Sequence, residues 1–271
     1  MSSRILLLGG TGMMGRPVVR CLKERGHTLR IFTRNMRKAQ NMFGDTVEIV
    51  EGSALNRDDI RTALEGSDAV HINLSPATEY AAMGQVIDLA GVQLDRISYV
   101  SAITLSEENR WFDRVDMKMR TEELLQNSGI PHVIFRPTWV METLRNFIRG
   151  KRAVVIVGKN PPALHFFAAA DFGRMVAASY EDDRGFGKRL YVYGPEAVTL
   201  GDAMKRFAAA CYPEAKVIHL SLWQARLAAW LMRNKSLAEV TKLIAYLDVA
   251  GEHGDCSEAN ALYGAPAITL D

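Results

Sequence analysis

The sequence predicts an α/β fold, a doubly wound parallel sheet with a smaller, mostly helical C-terminal substrate lobe. Three observations lead there. Short continuous apolar runs alternate with segments whose apolar residues recur at three- and four-residue spacing. A glycine-rich turn joins the first such run to the first helical segment. Gly26, Gly44, Gly66, Gly91 and Gly129 then stand at or just beyond the ends of helical segments, where a left-handed residue commonly closes a helix.

Strands are predicted over 4–8, 28–33, 47–51, 69–74, 97–100 and 133–136, in runs that read as buried on both faces of a parallel sheet. Helices are predicted between them over 13–25, 36–42, 58–64, 79–90 and 113–127. This β-α-β-α order specifies the doubly wound sheet. The alternation loosens after Pro137. A short helix over 141–148, a loop at 159–162, a helix over 171–180 and a strand over 189–193 follow. From Ser221 to Leu247 one long amphipathic helix, with a break near Asn234, sets Trp223, Leu227, Trp230, Leu237 and Ile244 on one stripe. Such a stripe is a core or dimer face before it is a cofactor element. Residues 1–140 are expected to form the nucleotide-binding core, with 165–195 returning to it, and 141–164 and 196–271 the second lobe.

Composition narrows the function classes. The 271 residues are 48% hydrophobic and 24% charged, the balance of a globular protein, with a net charge of +2. A dedicated nucleic-acid binder normally carries a strong basic excess. The cluster Arg145, Arg149, Lys151 and Arg152 therefore reads as a solvated loop. Cys21, Cys211 and Cys256 make neither a disulfide framework nor a C-x-x-C pair, which suits a reducing cytoplasm. No run approaches the roughly 20 apolar residues of a membrane span, so no membrane role is expected. No H-E-x-x-H, clustered Cys/His or G-x-S-x-G pattern occurs, so neither a metal site nor hydrolase chemistry is expected.

The first strand ends in Gly9-Gly10-Thr11-Gly12-Met13-Met14-Gly15. In this strand–turn–helix context the pattern implies a dinucleotide site of the Rossmann type. Gly10 would allow the tight turn, Gly12 the close approach of the pyrophosphate, and Gly15 the packing of helix on sheet. The pyrophosphate would rest on free amides at the positive end of the helix dipole. At the end of the second strand an NAD site usually places Asp or Glu, whereas this chain has Thr33 and Arg34, followed by Arg37 and Lys38. Arg34 suits a 2′-phosphate, so the expected cofactor is NADP(H), although Arg37 and Lys38 also read as a solvated basic face.

The sequence also resembles the NmrA-like group of atypical short-chain dehydrogenase/reductases. The resemblance rests on the Gly9–Gly15 turn, Ser128-Gly129-Ile130 followed by Phe135-Arg136-Pro137-Thr138, Ala170-Asp171-Phe172-Gly173, and the ending Leu262-Tyr263-Gly264-Ala265-Pro266 with Thr269-Leu270. It implies cofactor contacts from Asn73, Leu74, Ser75 and Ser101, from Lys118 to the nicotinamide ribose, and from Pro137. The sequence departs from the wider pattern twice. Ser53 stands after Gly52 where extended relatives often have Asp. The Tyr of the Tyr-x-x-x-Lys pair is replaced by Arg114, which cannot exchange a proton because its guanidinium stays charged. Candidate catalytic residues are therefore Lys118, Ser101 and Tyr80, each with a bland alternative: a solvated lysine, a strand-ending serine, a surface phenol. His71 reads as a core histidine, and His132 and His165 lack partners at metal-ligand spacing. Two function classes are expected: an NADPH-dependent reductase of quinones or conjugated carbonyls, and a non-catalytic NADP(H) sensor acting on a protein partner, either with a possible homodimer. Nucleotide-sugar epimerase chemistry is disfavoured, because it usually needs the Tyr/Lys pair.

Overall fold

The computed structural model describes residues 2–149, 153–158, 162–247 and 250–271. In chain order the strands are β1 Arg4–Leu8, β2 Thr28–Thr33, β3 Glu48–Glu51, β4 Ala69–Ile72, β5 Arg96–Val100, β6 His132–Pro137, β7 Ile148–Arg149, β8 Ala153–Val157, β9 Leu164–His165, β10 Lys188–Val192, β11 Ala197–Val198 and β12 Lys216–Leu220. The α-helices are α1 Gly15–Glu24, α2 Met36–Phe43, α3 Arg57–Leu64, α4 Pro76–Ala90, α5 Asp113–Gln126, α6 Ala169–Ala178, α7 Leu200–Cys211, α8 Leu222–Leu231, α9 Lys235–Leu247 and α10 Ser257–Tyr263.

Two compact units divide the chain: 1–137 with 169–192 and 254–266, and 138–168 with 193–253 and 267–271. The segment 254–266, expected in the second lobe, thus belongs to the first unit. That first unit is built on a seven-stranded sheet in the order β3-β2-β1-β4-β5-β6-β10. Every pairing in it is parallel, from Arg4↔Thr28 at one end of β1–β2 to Val192↔Pro137 at one end of β10–β6. Continuous apolar runs such as Ile5–Leu8, all fully buried, follow from helices covering both faces. The strand order reverses between β1 and β4, and a doubly wound sheet opens its ligand crevice at such a point, beyond the strands' carboxyl ends.

The second unit contains more strand than its sequence suggested. A three-stranded sheet, β7-β8-β12, and a two-stranded pair, β9-β11, stand with α7, α8 and α9. β12 escaped notice because Lys216–His219 is exposed along its whole length, which leaves no buried alternation to read. The core of this unit joins Leu144, Val154, Ile156, Phe166, Met204 and Ile244. The predicted helix over 141–148 is a 3-10 helix, Met141–Phe147. Residues 159–161 of the predicted loop and Lys151 and Arg152 of the basic cluster lie outside the described residues. The long C-terminal helix is two helices, parted by Arg233 in the left-handed region (φ 49°) and restarted by Asn234, whose Oδ1 accepts from the Leu237 amide at 3.0 Å. Its apolar stripe divides accordingly: Ile244 is buried, whereas Trp223 and Trp230 are exposed and are not core residues of this chain.

One buried polar contact crosses the main sheet. His71 on β4 meets Ser98, its register partner on β5, at 2.8 Å through Nδ1, and the Ser98 hydroxyl meets Tyr180 at 2.8 Å. His71 Nε2 has no partner among the described residues, and burial pushes the imidazole down to about 3. A histidine held neutral in the fold and free to protonate when unfolded makes stability fall with pH below about 6.5. The slope it contributes is at most about 1.4 kcal/mol per pH unit, and it vanishes once the pH drops through the folded value. Urea unfolding at a series of pH values should show a flatter acid limb for His71→Gln than for the wild type; parallel limbs would remove His71 from the acid response.

Candidate functional site

The turn after β1 is shaped by backbone meeting backbone. Gly9 has φ +96°, and a Cβ there would stand 2.0 Å from the Asn73 carbonyl oxygen beyond β4. The left-handed position that tightens the turn is therefore Gly9, not Gly10, which is instead confined by Ile31 Cδ1 at 3.0 Å and Val19 Cγ2 at 3.3 Å. A Cβ on Gly15 would lie 2.2 Å from the Gly9 carbonyl oxygen, so α1 can start against the turn only without a side chain. Gly12 differs. Its amide donates to the Gly9 carbonyl at 2.9 Å, its φ is unremarkable for any residue, and a Cβ would meet only that carbonyl, at 3.1 Å. The approach at Gly12 is tight but far less so than at Gly9 or Gly15, and the space beside its backbone is what a bound group would use.

The rest of the predicted cofactor surface gathers at the carboxyl ends of the same sheet. Thr11, Met13 and Met14 complete the turn; at the opening of α1 the Arg16 amide donates to the Gly12 carbonyl at 3.1 Å, and Pro17 has no amide to offer. Asn73 is tied by its amide to the Leu8 carbonyl at 2.9 Å; Leu74 packs on the core, and Ser75 is the exposed N-cap of α4. Pro137 is buried at the end of β6. Ser101, one residue past β5, is buried, donates its amide to the Phe135 carbonyl at 2.7 Å, and keeps a hydroxyl with no partner among the described residues. An unsatisfied buried hydroxyl costs stability unless a ligand completes it. The open face of Gly12 and the free Ser101 hydroxyl are two features a dinucleotide would fit.

At the end of β2, Thr33 is buried and its Oγ1 accepts from the Asn35 amide at 3.2 Å. Arg34 and Arg37 are exposed, with no side-chain hydrogen bond or ion pair among the described residues. Two carboxylates that the sequence pattern did not reveal stand nearby. Glu51, register partner of Thr33, accepts from the Met36 amide at the start of α2 at 3.1 Å. Asp59 on α3 accepts from the Ser53 amide at 2.8 Å, so a carboxylate from a helix holds the residue after Gly52. The only sequence hint for Asp59 was its place in the first turn of α3, where acids are favoured.

Lys118 is neither a free cofactor lysine nor a solvated one. Its ammonium donates to Glu79 Oε2 at 2.8 Å, to the Val100 carbonyl at 3.1 Å and to the Tyr99 hydroxyl at 3.4 Å. All three of its donors are engaged, which leaves none for a ribose in this arrangement. Glu79 is fully buried, and burial holds its carboxyl above the usual carboxylate range against the pull of Lys118. Tyr99 also lies in the core, where burial first and Glu79 second raise its phenol. Tyr80 faces elsewhere. Its ring lies under the Arg120 guanidinium at 4.8 Å, and Arg120 is two residues, over half a helical turn, from Lys118 on α5. That arrangement does not put the Tyr80 phenol in place of the lost tyrosine. Arg114 stands one turn before Lys118, exposed.

In the second unit His165 has a partner after all. Its Nδ1 lies 2.6 Å from Glu252 Oε2, its amide donates to Glu252 Oε1 at 2.8 Å, and its ring stacks on Tyr193 at 4.9 Å. A histidine oriented by a carboxylate can exchange a proton, but 87 residues separate the two, and no local pattern joins them. Among the described residues no group of three or more His, Cys, Asp or Glu could hold a metal, and no helix is long and apolar enough to cross a membrane.

A parallel sheet reversing at β1–β4, with a glycine turn feeding a helix there, defines a dinucleotide-binding α/β protein. Residues 9–183, well over half of the chain, match the NAD(P)H-binding family, and the chain belongs to it. It is 26% identical over 210 residues to the photosystem II assembly factor Ycf39 of Synechocystis sp., an alignment covering 72% of this chain but 63% of the relative. The chain thus spans less than two thirds of that relative. Its fold is similar to a nucleoside-diphosphate-sugar epimerase of Staphylococcus aureus, at TM-score 0.79 and 17% identity over 100% of this chain and 98% of that one. It is also similar to an NADPH-dependent quinone oxidoreductase of Escherichia coli complexed with NADPH, at TM-score 0.75 and 21% identity over 98% and 96% of the two chains.

The Lys118–Glu79 pair can be tested by itself. Glu79→Leu leaves an ammonium largely buried and unpaired, a loss of about 3–5 kcal/mol. Adding Lys118→Met should restore most of it in urea unfolding, and additive losses would show that the two side chains do not act as a pair.

Proposed function

We propose that this protein is an NADPH-dependent reductase that passes hydride to a quinone or a conjugated carbonyl. The observation that carries the proposal is the turn at Gly12, where an added Cβ would meet nothing but the Gly9 carbonyl, at 3.1 Å, and where the pyrophosphate would meet the start of α1. When bound, the nicotinamide supplies the hydride, and the protein supplies orientation and shelter. The turn amides and the α1 dipole would hold the pyrophosphate, Arg34 would take the 2′-phosphate through its planar fork, and the Ser101 hydroxyl would donate to the carboxamide or to the acceptor oxygen. Lys118 acts by keeping Glu79 and the end of β5 in place. With Arg114 in the position of the tyrosine, the acceptor should be one whose reduced form takes its proton from water, as a quinone does. The quinone oxidoreductase of similar fold supports this choice. The same missing tyrosine weighs against epimerase chemistry, which begins by oxidising the sugar.

A second reading keeps the binding without the turnover. The likeness to an assembly factor favours a protein that binds NADP(H) and answers to a partner. Titration with NADPH and NADH followed by NADPH oxidation with small quinones separates the two: binding with oxidation above the buffer rate supports the reductase, and tight binding without oxidation supports the sensor.

Residue tests follow from the same geometry. Gly12→Val should lose affinity for both cofactors, with far-UV circular dichroism checking that the variant still folds. Retained affinity would overturn the pyrophosphate assignment. Arg34→Ala should weaken NADPH about tenfold to a hundredfold, the worth of one charge-assisted hydrogen bond, and leave NADH within about twofold. Glu51→Gln should move the ratio the other way by removing a carboxylate from the same end of the sheet. Equal effects on both nucleotides would place the 2′-phosphate elsewhere.

A further inference from the structure

Helix α8 is packed inside out. Ala225 and Ala229 face inward and are buried, whereas Trp223, Leu227, Trp230 and Leu231, spaced i, i+4, i+7 and i+8, share the outer face. Trp223 is 65% exposed, Trp230 74% and Leu231 66%, and Met232 in the following turn is 69% exposed. A surface helix ordinarily turns its large apolar residues inward, and a contiguous exposed patch marks an interaction surface.

The charges beside this patch are all of one sign until α9 begins its second turn. Arg226, Arg233 and Lys235 are exposed, and none has a hydrogen bond or ion pair from its side chain among the described residues. Lys242 is the first to be balanced, by Glu239 at 3.2 Å. These four cations line a surface groove of about 770 Å³ whose wall includes Trp230 and Leu231. Tryptophans and long aliphatic side chains beside unneutralised arginine and lysine are what a helix lying in a lipid headgroup layer presents.

We propose that α8 and the turn at 232–234 dock on an anionic phospholipid surface. Trp223, Trp230, Leu231 and Met232 enter the boundary between headgroups and acyl chains, and Arg226, Arg233 and Lys235 meet lipid phosphates. A second copy of the chain fits this face less well, because a two-fold contact would set the same unpaired cations against one another. A single-stranded nucleic acid would use the tryptophans and the cations but would leave Leu227, Leu231 and Met232 without apolar cover. Interfacial docking asks far less of a sequence than a membrane span, so the lack of a long apolar run does not bear on it. The inference rests on the second unit alone and stands apart from the cofactor assignment.

The test is co-sedimentation of the full chain with vesicles of phosphatidylcholine, with and without phosphatidylserine, alongside tryptophan emission. Binding to the anionic vesicles with a blue shift is expected, and little binding to phosphatidylcholine alone. Trp223→Ser with Trp230→Ser should abolish the shift, and Arg226→Glu with Arg233→Glu should weaken binding by at least about tenfold. Both variants change exposed side chains, and far-UV circular dichroism checks that they fold. Failure to bind anionic vesicles overturns the proposal, as does binding that neither variant alters. Dimerisation lost in the tryptophan variant, or salt-sensitive binding to a single-stranded oligonucleotide, without vesicle binding, would give the face to another partner and overturn it equally.

Discussion

The contact on which the first unit depends is backbone against backbone at the exit of β1. The turn at Gly9 runs so close to the Asn73 carbonyl that no Cβ fits, and α1 starts so close to Gly9 that Gly15 must lack one too. These approaches draw β1, β4 and the first turn of α1 to one point, where the order of the parallel sheet reverses. Fixing them costs conformational entropy that glycine loses more heavily than any other residue. The apolar strands return that cost: Ile5, Leu6, Leu7 and Leu8 are completely removed from water between two helical layers. The crevice is therefore a consequence of how tightly the sheet closes around its first strand.

Most of this unit was legible because the physics that builds it is local in sequence. A strand buried on both faces must be a continuous apolar run, and β1, β2 and β4 are such runs. Helix ends announced themselves by glycine, and Gly26, Gly44, Gly66, Gly91 and Gly129 all take positive φ. The second unit was less legible for the opposite reason. β12 is exposed from Lys216 to His219, so no buried alternation marks it, and the stripe read along 221–247 joined residues of two separate helices. A 3.6-residue period records which residues share a face of an unbroken helix; it does not record a reversal at Arg233.

The chemistry was legible by halves. The glycine turn was found because its spacing marks it, although the left-handed position fell on Gly9 and not Gly10. Carboxylates were missed wherever tertiary structure alone brought them in: Glu79 to Lys118, Glu252 to His165, Asp59 to Ser53 and Glu51 to the start of α2. In each case the partner lies on another element. Glu79 shows what such an omission changes. A lysine read from sequence as either ribose-binding or solvated is held by a carboxylate with no exposure to water, and both descriptions give way to an internal ion pair. Such a pair adds little net stability when whole, because its attraction mostly offsets desolvation, yet it cannot lose one member cheaply.

The adenosine end shows the same effect acting on selectivity. Counting charges along the β2–α2 connection finds Arg34, Arg37 and Lys38 and no acid. The sheet corrects that count, because β3 lies beside β2 and sets Glu51 opposite Thr33, with its carboxylate on the first amide of α2. An amide at a helix start favours an anion, and here a side chain of the protein already answers it. A 2′-phosphate approaching Arg34 would therefore meet a cation and a carboxylate at the same sheet end, and its net attraction is the difference between them. On the proposed assignment Arg34 would give the site its preference for the phosphate, and Glu51 would set how far that preference goes.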